Sequence, residues 1–489
     1  MNFAVDVVEA TDPEALAMVE LARDGTRREH RFGAVAAAAR TLVAHLHEHG
    51  VRRGDVVLTL VGNQPDWVVA MVACFRQGYV VLPCTEQLRA KDLMLRLEVT
   101  RPRAVVADGR NEEVLRAAGW DGPTLWVPGV MDWPDAAAHA IPAPAALEPL
   151  DPCLITFTSG TAGEPKAVVH GQRYLDGQRL QAEHWLSARP GDLVWCTAAS
   201  GWSKSARNVF IAPWLRGAAA LLHDARFDPA QRLEILEREG VDVLCMAPTE
   251  YRVIAKRVAL RRFPKLRALV AAGEALNPEV LEVWRAATGL EIRDGYGQTE
   301  TGQMTGNLDD APARAGSMGR ALPGVKLWIE DGELVADPAT VPTFFLHYLG
   351  DDEATIAARA TAPWRTGDRV VEDDDGYLFF EGRTDDVIIS AGYRIGPFEV
   401  ESALVAHPAV AEAAVVAAPD EERGAVVRAI VVLRDGHAGD DALARELQDH
   451  VKAATAPYKY PRIVEFADDL PKTTSGKIRR ALLRGDAGA

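Results

Sequence analysis

A short loop rich in small and hydroxyl-bearing residues is suited to binding a chain of phosphates. It follows an apolar run at residues 154–157 and ends in a lysine. Glycines let backbone N–H groups turn toward an anion, hydroxyl groups add donors, and the lysine adds positive charge. The spacing differs from G-x-x-x-x-G-K-[ST], so this is not a Walker loop; taken alone, it could also be a surface turn. The loop comprises Thr158, Ser159, Gly160, Thr161, Ala162, Gly163, Glu164, Pro165 and Lys166.

Six further segments combine carboxylates, cations, aromatic residues and glycines of the kinds that bind nucleotides. They read AGEA at 272–275, DGYGQTE at 294–300, TGD at 366–368, GRTDD at 382–386, SAGYR at 390–394 and PKTTSGK at 471–477. With the loop at 158–166, their order and spacing resemble the adenylate-forming superfamily of acyl-CoA synthetases, luciferases and peptide-synthetase adenylation domains. The resemblance extends from about residue 50 to residue 480.

The resemblance implies an ATP site built from these segments. Asp368 would accept hydrogen bonds from both ribose hydroxyls, Arg383 would contact the nucleotide, and Arg394 would lie near the phosphates. A magnesium ion would be held by Thr158 and Glu300, since carboxylate oxygen suits this ion. The adenine and acyl-adenylate would be lined by Gly273, Glu274, Ala275, Asp294, Gly295, Tyr296, Gly297, Gln298 and Thr299.

Alternatives remain for these assignments when the residues are taken alone. The Gly-Tyr-Gly run at 295–297 could be a tight turn, and Asp368 could be a turn residue after Gly367. Arg383 and Arg394 could be solvated surface arginines. Lysines near a chain end are usually solvated as well, and Lys477 has Lys472 and two arginines nearby.

A catalytic role for Lys477 follows from the resemblance. The matching lysine of the family enters the active site and stabilises the charge that develops on the α-phosphate. Asp385 matches a hinge, about which a C-terminal domain would alternate between adenylation and thioester formation. The catalytic set would be Lys477, Lys166, Thr158 and Glu300. CoA would be contacted by Ala391, Gly392, Tyr393, Arg394, Arg423, Lys452 and Tyr460.

The acyl pocket resembles that of the medium-chain branch, which activates medium-chain fatty, branched-chain or aromatic acids. The segments at 201–207 and 296–302 carry this resemblance, and Trp202, Lys204, Arg207 and Gly273 are expected to line the pocket. Ala199 replaces an aspartate that is usual in the branch, and Arg207 replaces an aromatic residue common in bacterial relatives. One hypothesis is that Lys204 or Arg207 reaches the pocket and favours a polar or shortened acid; the alternative is that both point to solvent.

The elements that must position these residues follow a strand-then-helix pattern. Apolar runs at 56–61, 79–82, 104–107, 154–157, 219–222, 243–246 and 268–271 alternate with helical spacing, as at 65–77 and 229–239. This predicts an α/β fold with largely parallel sheets flanked by helices. Shorter strands at 325–329, 333–336 and 377–380 predict a β-rich subdomain. Helices at 397–406 and 441–455 and strands at 411–417 and 427–433 predict a small α+β domain.

The bulk properties set further limits. With 489 residues the chain should form at least two domains, which we place at 1–384 and 385–489. The net charge of −16 argues against nucleic-acid binding. Five scattered cysteines indicate neither a zinc site nor disulfides, and no apolar run is long enough for a membrane span. We therefore expect a soluble, cytoplasmic protein, monomeric or homodimeric.

These observations predict an acyl-CoA synthetase that uses ATP, Mg²⁺, CoA and a small carboxylic acid. The carboxylate would attack the α-phosphate to form an acyl-adenylate and pyrophosphate, and CoA would then displace AMP. Two alternatives remain. The acyl group could pass to a carrier protein, although no carrier-like Gly-Gly-x-Ser segment is fused to the chain, or the chain could be a nucleotide-binding regulator without catalysis.

Overall fold

The computed structural model describes residues 1–127, 129–133, 136–137, 141–158, 165–273, 276, 278–391, 393–473 and 477–484, with only the backbone of Arg394. Strands and helices alternate through the first part of the chain. The strands there are β1 (Leu16–Leu21), β2 (Arg27–Arg31), β3 (Val56–Leu60), β4 (Val80–Cys84), β5 (Ala104–Asp108) and β6 (Thr124–Val127). The helices are α1 (Phe32–Glu48), α2 (Pro65–Gln77), α3 (Ala90–Thr100) and α4 (Glu112–Ala117).

The same alternation continues to residue 306. The strands are β7 (Pro152–Phe157), β8 (Ala167–Gly171), β9 (Leu193–Cys196), β10 (Ala219–His223), β11 (Val243–Met246), β12 (Ala268–Ala272), β13 (Ile292–Gln298) and β14 (Gly302–Gly306). The helices are α5 (Arg173–His184), α6 (Ala212–Leu215), α7 (Pro229–Arg238), α8 (Pro248–Arg257) and α9 (Pro278–Thr288). A π-helical segment, Arg207–Ile211, leads directly into α6.

Short strands dominate the next part, and a small mixed unit ends the chain. The strands are β15 (Arg320–Ala321), β16 (Leu327–Glu330), β17 (Glu333–Ala336), β18 (His347–Tyr348), β19 (Trp364–Glu372), β20 (Leu378–Arg383), β21 (Ile388–Ser390), β22 (Tyr393–Ile395), β23 (Val410–Asp420), β24 (Gly424–Leu433) and β25 (Ile463–Phe466). The helices are α10 (Glu353–Thr361), α11 (Pro397–Ala406), α12 (Asp441–Ala454) and α13 (Arg480–Leu483).

Within the described residues, the strands form two large sheets and three smaller ones. One large sheet has the order β15-β14-β13-β12-β11-β9-β10-β1-β2, and the other β18-β8-β7-β4-β3-β5-β6. Their central pairs are parallel, while β13–β14, β7–β8 and β18–β8 are antiparallel. The smaller sheets are β16-β17-β19-β20, β21-β22 and β23-β24-β25. The predicted α/β class is therefore confirmed.

Burial explains why the predicted strands form. The central parallel strands have helices on both faces, so continuous apolar runs such as Val243–Met246 are fully buried. Helix α2 is buried over its whole length, with Pro65 preset for its first turn and Gly78 ending it at φ +65°. Strand β4 extends beyond the apolar run at 79–82, since it continues through Pro83 to Cys84.

The parallel sheets also explain where the site must lie. The carboxyl ends of parallel strands meet at one edge of a sheet, where ligands usually bind in α/β proteins. Trp202 follows β9, Gly273 follows β12, and Gln298 ends β13, all in the same sheet. Thr158 follows β7 of the other large sheet. The motifs found in the sequence thus cluster at strand ends.

Candidate active site

Two hydrogen bonds join Thr158 and Lys166, the first and last residues of the phosphate loop. The Thr158 N–H donates to the Lys166 carbonyl at 2.9 Å, and the Lys166 N–H donates to the Thr158 hydroxyl oxygen at 2.9 Å. These contacts continue the β7–β8 ladder by one residue on each strand. Pro165 is half-buried, whereas Ser159, Gly160, Thr161, Ala162, Gly163 and Glu164 lie outside the described residues.

Tyr348 links the two charged residues predicted to bind phosphates and magnesium. Its hydroxyl donates to Glu300 Oε1 at 2.8 Å, and the Lys166 ammonium lies 5.0 Å from its ring centroid. Burial, followed by the negative charge of Glu300, raises the pKa of Tyr348, so the phenol stays a donor. We call Thr158, Lys166, Glu300 and Tyr348 the phosphate cluster.

Replacing Tyr348 with phenylalanine should weaken the phosphate cluster without unfolding the chain. The ring over Lys166 would remain, but Glu300 would lose one donated hydrogen bond. A hydrogen bond to a charged group contributes about 1.5–3 kcal/mol, so we expect a roughly tenfold to hundredfold loss in kcat/KM for ATP. Steady-state kinetics would measure it, with Tyr377→Phe as the control. A Tyr348→Phe enzyme as active as the wild type would contradict this role for Tyr348.

Asp368 is the centre of a second polar cluster. Its carboxylate accepts hydrogen bonds from the Tyr296 hydroxyl, from Gln298 Nε2 at 2.9 Å and from Arg383 Nη1 at 3.3 Å. Trp364 Nε1 donates to Gln298 Oε1 at 3.0 Å and fixes the orientation of this amide. We call Tyr296, Gln298, Asp368 and Arg383 the ribose cluster. It brings together residues from β13, β19 and β20.

Burial and nearby charges shift the pKa values of Asp368 and Tyr296 in the ribose cluster. Asp368 is buried, and burial raises the pKa of its carboxyl, while the charge of Arg383 acts in the opposite direction. Burial and the nearby carboxylate raise the pKa of Tyr296 well above its usual value. The phenol therefore remains neutral and donates to an acceptor carboxylate.

The Gly-Tyr-Gly run lies within a strand, so the alternative of a tight turn was wrong. Tyr296 and Gly297 belong to β13, and a bulge between them shifts the register against β14. A Cβ atom on Gly297 would lie 1.8 Å from the Gly302 carbonyl oxygen, which explains why this position requires glycine. Thr301 closes the following turn by accepting from the Gln298 N–H at 3.0 Å.

The chemistry of the phosphate cluster fits a magnesium ion bound together with a triphosphate. Magnesium usually takes one or two protein carboxylates or hydroxyls and completes its shell with water and phosphate oxygens. Glu300 and Thr158 provide such a partial set. The described residues contain no group of three or more histidine, cysteine or acidic side chains that would hold a metal without substrate. Bound there, the ion would neutralise phosphate charge.

The predicted hinge residue lies in a network that reaches the end of the chain. Arg383 Nε donates to Asp385 Oδ1 at 3.2 Å, while Arg484 Nη1 donates to Asp386 Oδ1 at 2.7 Å. Arg480 donates to Glu401 Oε2 at 2.7 Å. Asp386 is therefore tied to the short helix that follows Lys477. A movement at residues 385–386 would be passed on to the lysine segment.

Lys477 itself closes a second small loop. Its N–H donates to the Thr473 hydroxyl oxygen at 3.1 Å, and its carbonyl accepts from the Thr473 N–H at 2.8 Å. Residues 472 and 478 form an isolated antiparallel bridge at the base of this loop. The Lys477 residue is exposed, and these contacts hold its backbone in place.

The residues predicted to contact CoA fall into two groups on the C-terminal unit. Ala391 has an unusual positive φ of 50°, and its N–H donates to the Arg423 carbonyl at 2.9 Å. Exposed Tyr393 stacks on Tyr458 with ring centroids 4.4 Å apart. In the second group, the Lys452 ammonium lies 4.3 Å from the Tyr460 ring centroid. Gly392 and the Arg394 side chain lie outside the described part.

The residues predicted for the acyl pocket turn inward. Lys204 Nζ donates to the Ala272 carbonyl at 3.1 Å, and it would lie 3.0 Å from a Cβ atom on Gly273. Arg207 is 4% exposed, so neither cation extends freely into solvent. Trp202 is half-buried beside them. Of the neighbouring residues, Glu274 and Ala275 lie outside the described part of the chain, while Asp294 is buried in β13.

His170, which the sequence did not indicate, is buried near Arg207. Burial, and then the charge of Arg207, lowers the pKa of His170 to about 3. Unfolded histidine titrates near pH 6.5, so acidification protonates the unfolded chain first. The contribution of His170 to the free energy of unfolding should therefore fall as the pH decreases from about 6.5 toward 3, by about 1.4 kcal/mol per pH unit.

Denaturant unfolding at several pH values would measure this contribution. A His170→Gln variant should lose less stability on acidification than the wild type, because it lacks the buried imidazole. His437→Gln, at an exposed histidine, is the matched control and should keep the wild-type slope. Equal slopes for His170→Gln and the wild type would show that His170 does not titrate as described.

Comparison with known proteins agrees with this architecture. The family model for AMP-binding enzymes matches residues 5–342, and the model for the AMP-binding enzyme C-terminal domain matches residues 399–477. The uncharacterized acyl-CoA ligase YtcI of Bacillus subtilis (strain 168) is 40% identical over 470 residues, which cover 90% of this chain and 87% of that protein. Human mitochondrial acyl-coenzyme A synthetase ACSM4 is 40% identical over 465 residues, covering 89% and 80% of the two chains.

A solved structure shows the same fold along the whole chain. The benzoate CoA ligase from Burkholderia xenovorans LB400 has a TM-score of 0.86 and 28% identity, covering 99% of this chain and 100% of that one. The chain therefore belongs to the AMP-binding enzyme family. Within it, the chain is an ATP-dependent, AMP-forming acyl-CoA ligase, which confirms the predicted class of enzyme and its use of ATP and CoA.

Two alternatives considered from the sequence are thereby set aside. The relatives are CoA ligases, so CoA rather than a carrier protein is the acceptor, and the chain is an enzyme rather than a regulator. Among the described residues, none of the helices has the length and hydropathy required to cross a bilayer.

Proposed function

We propose that the phosphate cluster and the ribose cluster together bind ATP and direct its α-phosphate toward a carboxylic acid. The observation that supports this most directly is the contact of Tyr348 with both Lys166 and Glu300. The cation contacts the ring and the carboxylate contacts the hydroxyl of one side chain, which supports a shared role in binding a magnesium triphosphate. Asp368, which accepts from three donors, would give up at least one of these hydrogen bonds to accept from both ribose hydroxyls.

The reaction proceeds in two displacements at this site. An oxygen of the substrate carboxylate attacks the α-phosphorus, the bond to the bridging oxygen breaks, and pyrophosphate leaves. The sulfur of CoA then attacks the acyl carbon, AMP leaves with its phosphate oxygen, and the thiol proton is released to solvent. The protein contributes positioning and positive charge, mainly through Lys477 and Lys166.

The C-terminal unit, residues 385–489, moves between these steps about Asp385. The network of Asp386, Arg480 and Arg484 supports this assignment, because it couples the hinge to the segment that carries Lys477. In one arrangement Lys477 would reach the α-phosphate. In the other, the surface around Ala391, Tyr393 and Lys452 would present CoA to the adenylate.

The acid is a medium-chain fatty, branched-chain or aromatic acid. The identity to mitochondrial acyl-coenzyme A synthetases and the fold shared with a benzoate CoA ligase support this range. In addition, the expected pocket is bordered by Gly273 and Gly297, which add no side-chain bulk. We also propose a cytoplasmic monomer or homodimer, in keeping with five cysteines that are all free and buried.

A panel of acids tests the proposed substrate range. ATP–pyrophosphate exchange would be measured with short, medium, branched and aromatic acids, followed by thioester formation with CoA. We expect exchange to be fastest with one of the latter three classes. Fast exchange with acetate alone would contradict the proposed range, and exchange with none of the acids would contradict the proposed function.

A further inference from the structure

Arg207 is a buried cation whose charge is only partly compensated. Its residue is 4% exposed, and the Nε and Nη1 groups have no hydrogen-bond partner among the described residues. The hydroxyl of Tyr174 lies within hydrogen-bonding reach of the guanidinium, but it is a neutral group. Burial of an unpaired charge costs several kcal/mol, so this position requires an explanation.

The surroundings of Arg207 are polar and equally unsatisfied. Asn208 Oδ1 accepts from Gln181 Nε2 at 3.0 Å, but Asn208 Nδ2 and Gln181 Oε1 have no partner in the described part of the chain. Nδ1 of His170 likewise has no partner in the described part of the chain. Burial and the positive charges of Arg207 and Arg173 lower the pKa of this imidazole. Buried polar groups are normally hydrogen-bonded, and here several lie together without partners.

This polar region borders the reaction site. Nη1 of Arg207 would lie 3.5 Å from a Cβ atom on Gly302, which begins the strand directly after the turn that contains Glu300. The imidazole of His170 lies within hydrogen-bonding reach of the Thr299 backbone. On the other side, Lys204 lies against Gly273. Arg207 therefore lies beside the start of the strand that follows Glu300, next to the segment expected to border the acid.

We propose that Arg207 binds a second carboxylate of the substrate, so that the enzyme prefers dicarboxylic acids. The inference rests on the proposed function, because it assigns the distal part of the same acid. A carboxylate beside the guanidinium would give this buried cation a partner of opposite charge. Monocarboxylic acids of equal length would leave this cation buried beside apolar atoms.

The test compares matched acids on the wild type. Succinate, adipate, suberate and terephthalate would each be compared with butyrate, hexanoate, octanoate and 4-methylbenzoate, respectively, in ATP–pyrophosphate exchange. A hydrogen bond between charged groups contributes about 1.5–3 kcal/mol, so kcat/KM should favour the best dicarboxylic acid by about tenfold to a hundredfold. In Arg207→Leu the preference should reverse, mainly through a higher KM, and Arg207→Lys should retain part of it.

The controls separate the possible failures. Arg238→Leu, at an exposed arginine, should keep the wild-type preference, and circular dichroism would verify that Arg207→Leu is folded. A wild-type preference for monocarboxylic acids that persists in Arg207→Leu would overturn the inference. So would 6-hydroxyhexanoate reacting as well as adipate, since a neutral acceptor would then suffice. Exchange with no acid of either kind would instead contradict the proposed function.

Discussion

Replacement of Lys477 by alanine should lower the rate of acyl-adenylate formation by about a hundredfold to a thousandfold, the usual effect of removing one group that stabilises a developing negative charge. The folded state should be unaffected, because Lys477 is exposed and its loop is closed by backbone contacts with Thr473. The ribose and phosphate clusters would remain intact, so the KM for ATP should change far less than kcat.

The second half-reaction distinguishes this role from a general loss of activity. When chemically prepared acyl-adenylate is supplied, the Lys477→Ala enzyme should transfer the acyl group to CoA at nearly the wild-type rate. Lys472→Ala is the matched control, since this nearby lysine is already paired with Glu412 at 2.8 Å. Undiminished ATP–pyrophosphate exchange in Lys477→Ala would exclude the lysine from adenylation.

Replacement of Asp368 by asparagine should raise the KM for ATP by about a hundredfold. Asparagine keeps the size of the side chain, but one acceptor oxygen becomes an NH₂ donor that faces the donors of Tyr296, Gln298 or Arg383. Loss of a buried charged acceptor costs about 1.5–3 kcal/mol, and the ribose would lose its partner as well. Isothermal titration with AMP would measure the affinity directly.

Asp375→Asn provides the control for this change, since Asp375 is an exposed carboxylate of the same subdomain. It should leave the affinity for AMP unchanged. Wild-type affinity in Asp368→Asn would show that the ribose cluster does not bind the nucleotide. A lower affinity accompanied by unfolding would be recognised by differential scanning calorimetry without ligand.

The sequence predicted the parts of the site that lie in short contiguous motifs. Thr158 and Lys166 are eight positions apart and meet across a hairpin, so local spacing was informative. Asp368 and Arg383 likewise pair across adjacent strands β19 and β20. The apolar runs of the parallel strands were also recognised, since burial on both faces leaves a continuous signal.

Tyr348 was missed because its position depends on long-range pairing. The strand that carries it spans only His347–Tyr348, and it contacts Lys166 and Glu300 because it pairs with β8, far away in the sequence. Strand β2 was missed for a different reason. Its sequence, RREHR, has no apolar alternation, since it lies at the edge of its sheet.

The inward orientation of the Lys204 and Arg207 side chains could not be predicted from the sequence either. Lys204 and Arg207 lie in a segment without periodicity, and a lysine or arginine on such a segment is usually exposed. Their inward orientation depends on the contact of Lys204 with the Ala272 carbonyl and on the packing of Arg207 against Gly302. These are contacts between elements that are distant in the sequence.

The most direct test of the acyl-adenylate mechanism follows one oxygen atom. The acid that is fastest in the exchange panel would be labelled with ¹⁸O in its carboxylate and incubated with ATP, Mg²⁺, CoA and the wild-type enzyme. Mass spectrometry of the products should find one labelled oxygen in AMP and none in pyrophosphate, because the carboxylate attacks the α-phosphorus. Unlabelled AMP, or label in a phosphate product other than AMP, would contradict the account.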